Sequence, residues 1–382
     1  MRARGEPVRR VVTGLDDRGR SIVSADALAH PDRSDPGRID LWTWWHTPVD
    51  LGSETEGAYE FPGPPLGGHW CIVDGLPPRP SHNLETDSSL TPAHEPRPAS
   101  PGVWERGGAN AFTTAMHKTR TIDYAILLNG ASTLVLDDTE VEWLPGDALV
   151  DVAAWHQWSY RGASSSRVAF VLNSAELPDG ALSVAEVSGP ISGVAAHGPR
   201  TSGRRSPGNR RIVAADLEPG RSSLVSDGPS PDVRMDPARP GYAIHRIWVT
   251  DRSPARAVTE TLHLPNVIVP PRRGTVFNFV TIPPDRSWRG FVGPSEVRGF
   301  FRMIGAPTAC CYARGSPHPY MQRTPTLDLV AVLSGEVVLV LDEGEVFLRA
   351  GDFVVQRGGA HAWSNPSRRH ATIAIVSLRA TE

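Results

Sequence analysis

Residues 116–159 and 321–364 are one segment written twice without a gap, at a constant offset of 205, with 18 of 44 aligned positions identical. Such a chain must build two like units. The differences constrain function as the identities constrain fold: His117 becomes Gln322, whereas His156 and His361 are both kept. One copy can hold chemistry that the other has lost.

The duplication extends outward. Arg9-Arg10-Val11-Val12 matches Arg210-Arg211-Ile212-Val213 at an offset of 201, and Pro64-Pro65 to Pro77-Pro78 matches Pro270-Pro271 to Pro283-Pro284 at 206. Drifting offsets place small insertions in loops and leave the elements between them intact. The expected division is an N-terminal domain over 9–184, a linker over 185–209 and a C-terminal domain over 210–382. The linker and the stretch 79–103 are rich in Pro, Ser, Gly and His without apolar periodicity, so both read as connectors, with His82 and His94 as solvated loop residues.

Between the connectors, β-branched runs such as VVLVLD (337–342) and ATIAIVSL (371–378) alternate with Gly, Asp and Asn turns. Period-two apolar patterning predicts short antiparallel strands, and no apolar stripe of helical period lasts beyond two turns. The fold class expected is all-β, one small barrel per half.

Net charge is only -3, which offers no electrostatic basis for binding nucleic acid or an anionic membrane. No long apolar run and no signal-like apolar core follows the basic N-terminus, so a cytoplasmic location is the default expectation. Cys71, Cys310 and Cys311 lack the spacing of a disulfide framework or a structural zinc site. Phosphate loops, dinucleotide fingerprints and nucleophile elbows are absent from the sequence. A small-molecule ligand or substrate is the expected partner, with the chain a monomer or homodimer.

His117, Thr119, Asp123 and Gly130 have the layout of the first motif of the cupin superfamily, and Gly146-Asp147 followed by His156 resembles the second. Gly351-Asp352, Gly358, His361 and Asn365 repeat that second motif more fully. The chain resembles a bicupin, two tandem double-stranded β-helices, with the resemblance spanning both halves. It implies motif residues at the open end of each barrel, a divalent metal (iron, manganese, nickel or zinc) held there in metal-binding members, and halves packed as single cupins dimerise. Thr119 stands where the second motif histidine is expected and Asp123 where a Glu is, leaving His117, Asp123 and His156 as metal candidates in the first half. The second half has Gln322, Thr324, Asp328 and His361, a set expected to be inactive.

Residues 117, 119, 121 and 123 share parity and project from one strand face, with Tyr124 opposite. Three readings follow. Two imidazoles and a carboxylate are the donor set of non-haem iron oxygenases, although Asp is one methylene shorter than Glu. Thr119, Thr121 and Asp123 also suit a buried hydrogen-bonded cluster, since the trio recurs as Thr324, Thr326 and Asp328. The leading reading is cofactor-free acid/base chemistry of a cyclase, isomerase, decarboxylase or dehydratase in specialised metabolism. Its catalytic candidates are His117, Asp123, Tyr124 and His156, in a pocket of Thr119, Thr121, Trp155 and Trp158. A non-catalytic ligand-binding bicupin is the remaining alternative. His46 and His245, near Trp45 and Trp248, read as packing residues; His318, four residues before Gln322, is a weaker candidate for a replacement ligand.

Overall fold

The computed structural model describes residues 5–52, 61–75, 91, 93–110, 113–160, 165–183 and 210–381. The linker over 185–209 and His82 lie outside them. Each half wraps its strands alternately into a large and a small sheet. In the first, Thr121–Asn129, Ala148–Val152 and Ser166–Glu176 join the large sheet, while Ser132–Val135, Glu140–Trp143 and Gln157–Ser159 form the small one. In the second, Thr326–Ser334, Phe353–Arg357 and Ala371–Arg379 alternate in the same way with Glu336–Leu341, Glu345–Arg349 and His361–Ser364. Both are double-stranded β-helices, and the all-β expectation holds.

Inside each barrel the inward residues of the two sheets make a separate core. The first is filled by Trp143, Trp158, Phe170 and Leu134, the second by Leu339, Val332, Phe301 and Trp288. A third core lies between the halves, where Trp70, Tyr124 and Ile122 meet Phe277, Leu329 and Phe353. The large sheets therefore pack face to face, and their central strands, such as Thr121–Asn129 and Phe353–Arg357, are buried on both faces.

The hairpins that open the two repeats are exchanged. Val8–Leu15 pairs in parallel with Phe353–Arg357 of the second barrel, and Arg210–Glu218 pairs in parallel with Ala148–Val152 of the first. Equivalent ion pairs clamp both. Arg9 reaches Asp26 at 2.7 Å and Asp352 at 3.3 Å, and Arg210 reaches Asp227 at 2.6 Å and Asp147 at 2.9 Å. The repeated Gly-Asp thus serves as a socket: Gly146 and Gly351 take φ of 87° and 88°, which only glycine adopts freely, and the following Asp caps the turn and receives the hairpin's Arg.

Two local features depart from the sequence reading. Arg97–Ser100 and Val103–Glu105 form a short hairpin within the presumed connector 79–103, extended by His117–Thr119. A helix, Pro294–Met303, sits over the second barrel; Pro294 starts it, Glu296 accepts from Gly293 N at 3.0 Å, and Val297, Phe300, Phe301 and Ile304 bury one stripe. Its apolar stripe spans only two turns, which is why periodicity did not announce it.

Candidate functional site

His117 and His156 are direct cross-strand partners, each backbone N–H donating to the other's carbonyl at 2.9 Å. Residues so paired project side by side, and the two imidazole centroids are 4.2 Å apart. Asp123 and Asp151 are opposed in the same way on Thr121–Asn129 and Ala148–Val152. Asp151 joins the pairs: its Oδ2 lies 2.5 Å from His156 Nδ1, while its Oδ1 accepts from Ala154 N at 2.7 Å. Two imidazoles and two carboxylates thus converge in one cluster, buried except at His117.

The neighbours fix the tautomers. His117 Nδ1 faces Ala115 O at 2.8 Å and His156 Nδ1 faces Ala154 O at 3.0 Å; both are acceptors, so both Nδ1 carry hydrogen and each Nε2 is left for chemistry. Burial, then the charge of His156, lowers His117 to about 3. His156 goes the other way: burial lowers it, but Asp151's charge and hydrogen bond outweigh that and raise it above the ordinary value. Burial, then the facing Asp151, raises Asp123 to about 7, and Asp123 Oδ1 has no hydrogen-bond partner among the described residues.

The turn aiming His156 is strained. Ala153 has φ of 49°, the only non-glycine residue with positive φ among those described; its counterpart in the second repeat is Gly358, φ 62°. A Cβ in this region costs on the order of 1–2 kcal/mol, and here the conformation carries Asp151 to Ala154 N and His156 back to Asp151.

The other candidates divide between faces. Trp158 packs edge-on against His156 at 5.2 Å, and Thr121 donates to Thr119 at 2.7 Å within the cluster's wall. Trp155 lies elsewhere, under Arg106 at 4.6 Å, with Nε1 donating to Ala181 O at 3.1 Å. Tyr124 lies on the opposite strand face from Asp123, stacked on Phe277 at 5.2 Å between the halves, its hydroxyl 2.8 Å from Thr275 Oγ1. Tyr124 and Trp155 are therefore apart from the imidazole cluster. Asp151, which the motif pattern did not single out, takes the central position. Its signal was present in the duplication, because residue 356 is Gln.

In the second barrel, Gln322 and His361 exchange backbone hydrogen bonds at 2.8 Å, and their side chains approach to 3.2 Å. Gln356 replaces Asp151, donating to Gly359 O at 2.9 Å and accepting from Thr13 of the exchanged hairpin at 2.7 Å. Burial lowers His361 and raises Asp328. Thr324 and Thr326 repeat the Thr pair at 2.7 Å. His318 is buried but points at Trp288 and Asp285, with Nδ1 accepting from Tyr320 N at 3.2 Å, so it does not replace the lost imidazole. Asn365 binds Ile282 O and Arg369 O at 2.9 and 2.8 Å and holds a turn. His46 Nδ1 faces Pro48 O at 2.7 Å on the surface.

A cavity of about 70 Å³ reaches Gln322, Asp328 and His361. Larger concavities of about 710 and 350 Å³ lie at the first hairpin's outer face and between the halves, and neither is lined by a histidine. Among the described residues, no three His, Cys, Asp or Glu side chains are arranged to hold a metal ion. His117, Asp123 and His156 are near neighbours but do not form such a donor set. No helix among the described residues is long and apolar enough to cross a membrane.

No family model matches the chain. It is 41% identical over 70 residues to phomopsin biosynthesis cluster protein D of Diaporthe leptostromiformis, covering 18% of this chain and 37% of that protein. It is 43% identical over 51 residues to oryzines biosynthesis cluster protein J of Aspergillus oryzae, 13% of this chain and 28% of that protein. The chain therefore matches about a third or less of these curated relatives' length. Among solved structures, AerE from Microcystis aeruginosa is similar at 9% identity over 76% of this chain and 99% of that one, with a TM-score of 0.33. A cupin 2 conserved barrel domain protein from Leptotrichia buccalis has 9% identity over 81% and 83%, TM-score 0.32, and an oxalate decarboxylase 10% over 82% and 69%, TM-score 0.35. The fold reading rests instead on the chain's own sheets. By their strand order, and by the motif residues written at the same place in each, this is a protein of the cupin fold with two barrels in one chain.

Proposed function

We propose that the chain is a small-molecule enzyme of specialised metabolism that performs acid/base chemistry in its first barrel. One observation carries the reading: His156 sits between the Asp151 carboxylate at 2.5 Å and the His117 ring at 4.2 Å. Two like groups whose surroundings drive their proton affinities apart are suited to opposite roles. His117, neutral with hydrogen on Nδ1 and lowered to about 3, is too weak a base to keep a proton near neutrality, so its Nε2 lone pair accepts a hydrogen bond and orients the substrate. His156, its charge favoured by Asp151, offers Nε2–H as general acid. His117 is partly exposed while His156 is buried, so a substrate meets the orienting imidazole first and the acid beneath it. Asp123, raised to about 7, is the group that can take a proton near neutrality.

Such a pair moves a proton off one substrate atom and onto another, as isomerisation, dehydration and cyclisation require. Matches to two fungal biosynthesis-cluster proteins support placing it in specialised metabolism. The test is turnover of a cluster intermediate by purified variants. His156→Ala and Asp123→Ala should abolish it while His361→Ala keeps most of it; equal losses in both barrels would overturn the division of labour.

A further inference from the structure

The second barrel contains polar groups that the proposed reaction does not use. Its cavity is lined by Gln322, Asp328 and His361 and also by Arg239, which lies between two tyrosines. The guanidinium carbon of Arg239 lies 3.7 Å from the Tyr242 ring centroid and 3.5 Å from that of Tyr320. Nε donates to Asp236 Oδ2 at 2.6 Å, and the Tyr320 hydroxyl donates to the same oxygen at 2.9 Å. The guanidinium plane is therefore locked by stacking on its faces and by a carboxylate on one edge.

The edge that Nε shares with Nη2 is only half satisfied. Arg239 is 4% exposed, and its Nη2 has no hydrogen-bond partner among the described residues. Asp328 lines the same cavity, and its buried Oδ1 is also without a partner among the described residues. Asp236 matches the charge of Arg239, but a buried guanidinium donor left without an acceptor is costly, and a ligand oxygen in the cavity would satisfy it. The first repeat lacks this feature: in the aligned turn, Asp32 to Gly37 against Asp236 to Gly241, Asp35 stands where Arg239 does.

We propose that the second barrel is a binding site for small carboxylates, recognised by Arg239. A carboxylate oxygen takes the free Nη2–H, with the ligand's far end toward the Gln322 amide and His361. A cavity of about 70 Å³ holds roughly two waters' worth of space, which suits acids of two or three carbons. The site is separate from the proposed chemistry in the first barrel, and its test reads binding rather than turnover.

The full chain is titrated with sodium acetate, with acetamide as the neutral match and sodium chloride as the ionic one, following the thermal midpoint and Trp fluorescence, since Trp363 lines the cavity. Acetate should raise the midpoint at least tenfold more effectively than acetamide or chloride, and Arg239→Gln should weaken acetate at least tenfold. Ile375→Phe, which fills the cavity but keeps Arg239, should weaken it likewise and carries the test if Arg239→Gln does not fold. His117→Gln, in the first barrel, should leave the response unchanged. Equal effects of acetate and chloride, undiminished binding in Ile375→Phe, or loss of the response in His117→Gln would each overturn the proposal.

Discussion

The two barrels share strand order, Thr pair, Gly-Asp socket and one buried imidazole, yet they surround that imidazole with opposite electrostatics. His156 has a carboxylate at Nδ1 and a second imidazole beside it; His361 has amides, Gln356 and Gln322, in both places. The exchanged hairpins reinforce the contrast. The hairpin under the second barrel brings Thr13 to bind Gln356, whereas the one under the first places Ala214 opposite Asp151, with no hydroxyl to offer. In one barrel the polar interior is neutral and satisfied at the imidazole; in the other, charge is concentrated and left for use. Barrels of the same strand order therefore separate what the fold needs from what chemistry needs.

The sharpest way to break this comparison is to exchange the two residues that set it. Asp151→Asn keeps the size of the group but removes the charge, so the His156 pKa should fall toward the behaviour of His361. Turnover should drop by about 10² to 10⁴, the usual range for losing a positioned acid or base. The reciprocal Gln356→Asp should raise His361. Histidine NMR titrations of both variants check this, and a His156 pKa unmoved by Asp151→Asn would remove Asp151 from the mechanism. The sign for stability follows: a raised His156 contributes stability below its ordinary value of 6.5, and this is lost as pH rises through the raised value.

Asp123 provides the second test, with an effect on stability in place of rate. Its folded pKa of about 7, against 3.8 for an ordinary carboxyl, means the folded chain holds a proton that the unfolded chain has released between those values. Stability from this group therefore falls as pH rises from about 4 to 7, at no more than about 1.4 kcal/mol per pH unit. His117, lowered to about 3 from 6.5, gives the opposite slope over much of the same window, so the wild-type profile alone conceals both. Asp123→Asn removes one of them. Chemical denaturation at pH 5 and pH 8 should show the variant gaining stability over wild type at both, with the gain clearly larger at pH 8.

Much of this was legible in the sequence, for definite reasons. The duplication and period-two patterning disclose two β-barrels because both are local properties of the chain. Shared parity put His117, Thr119, Thr121 and Asp123 on one face, and the same parity already separated Tyr124, which the structure places between the halves. The hairpin exchange was not legible: Val8–Leu15 and Arg210–Glu218 are so alike that either would match either barrel, and only the path of the chain decides. Asp151 was passed over because motif spacing directs attention to Gly146-Asp147 and His156, not to the strand between them. Arg239 lies in a turn far from any motif, and its importance appears only when Tyr242 and Tyr320 close on it.

The smallest expected effect concerns the turn before each histidine. Ala153 and Gly358 occupy equivalent left-handed positions, φ 49° and 62°, so the first barrel places a Cβ where the second has none. Gly358→Ala should cost on the order of 1–2 kcal/mol, with the new Cβ also meeting Leu51 Cδ1 at 2.5 Å, a flexible tip able to move. Ala153→Gly should be stabilising or neutral, within about 1 kcal/mol, because relief of the strained φ opposes the greater freedom glycine gives the unfolded chain. Its informative reading is turnover. If the strained turn holds His156 against Asp151, loosening it should lower activity without lowering the thermal midpoint, whereas unchanged activity would make the left-handed alanine a tolerated accident of the duplication.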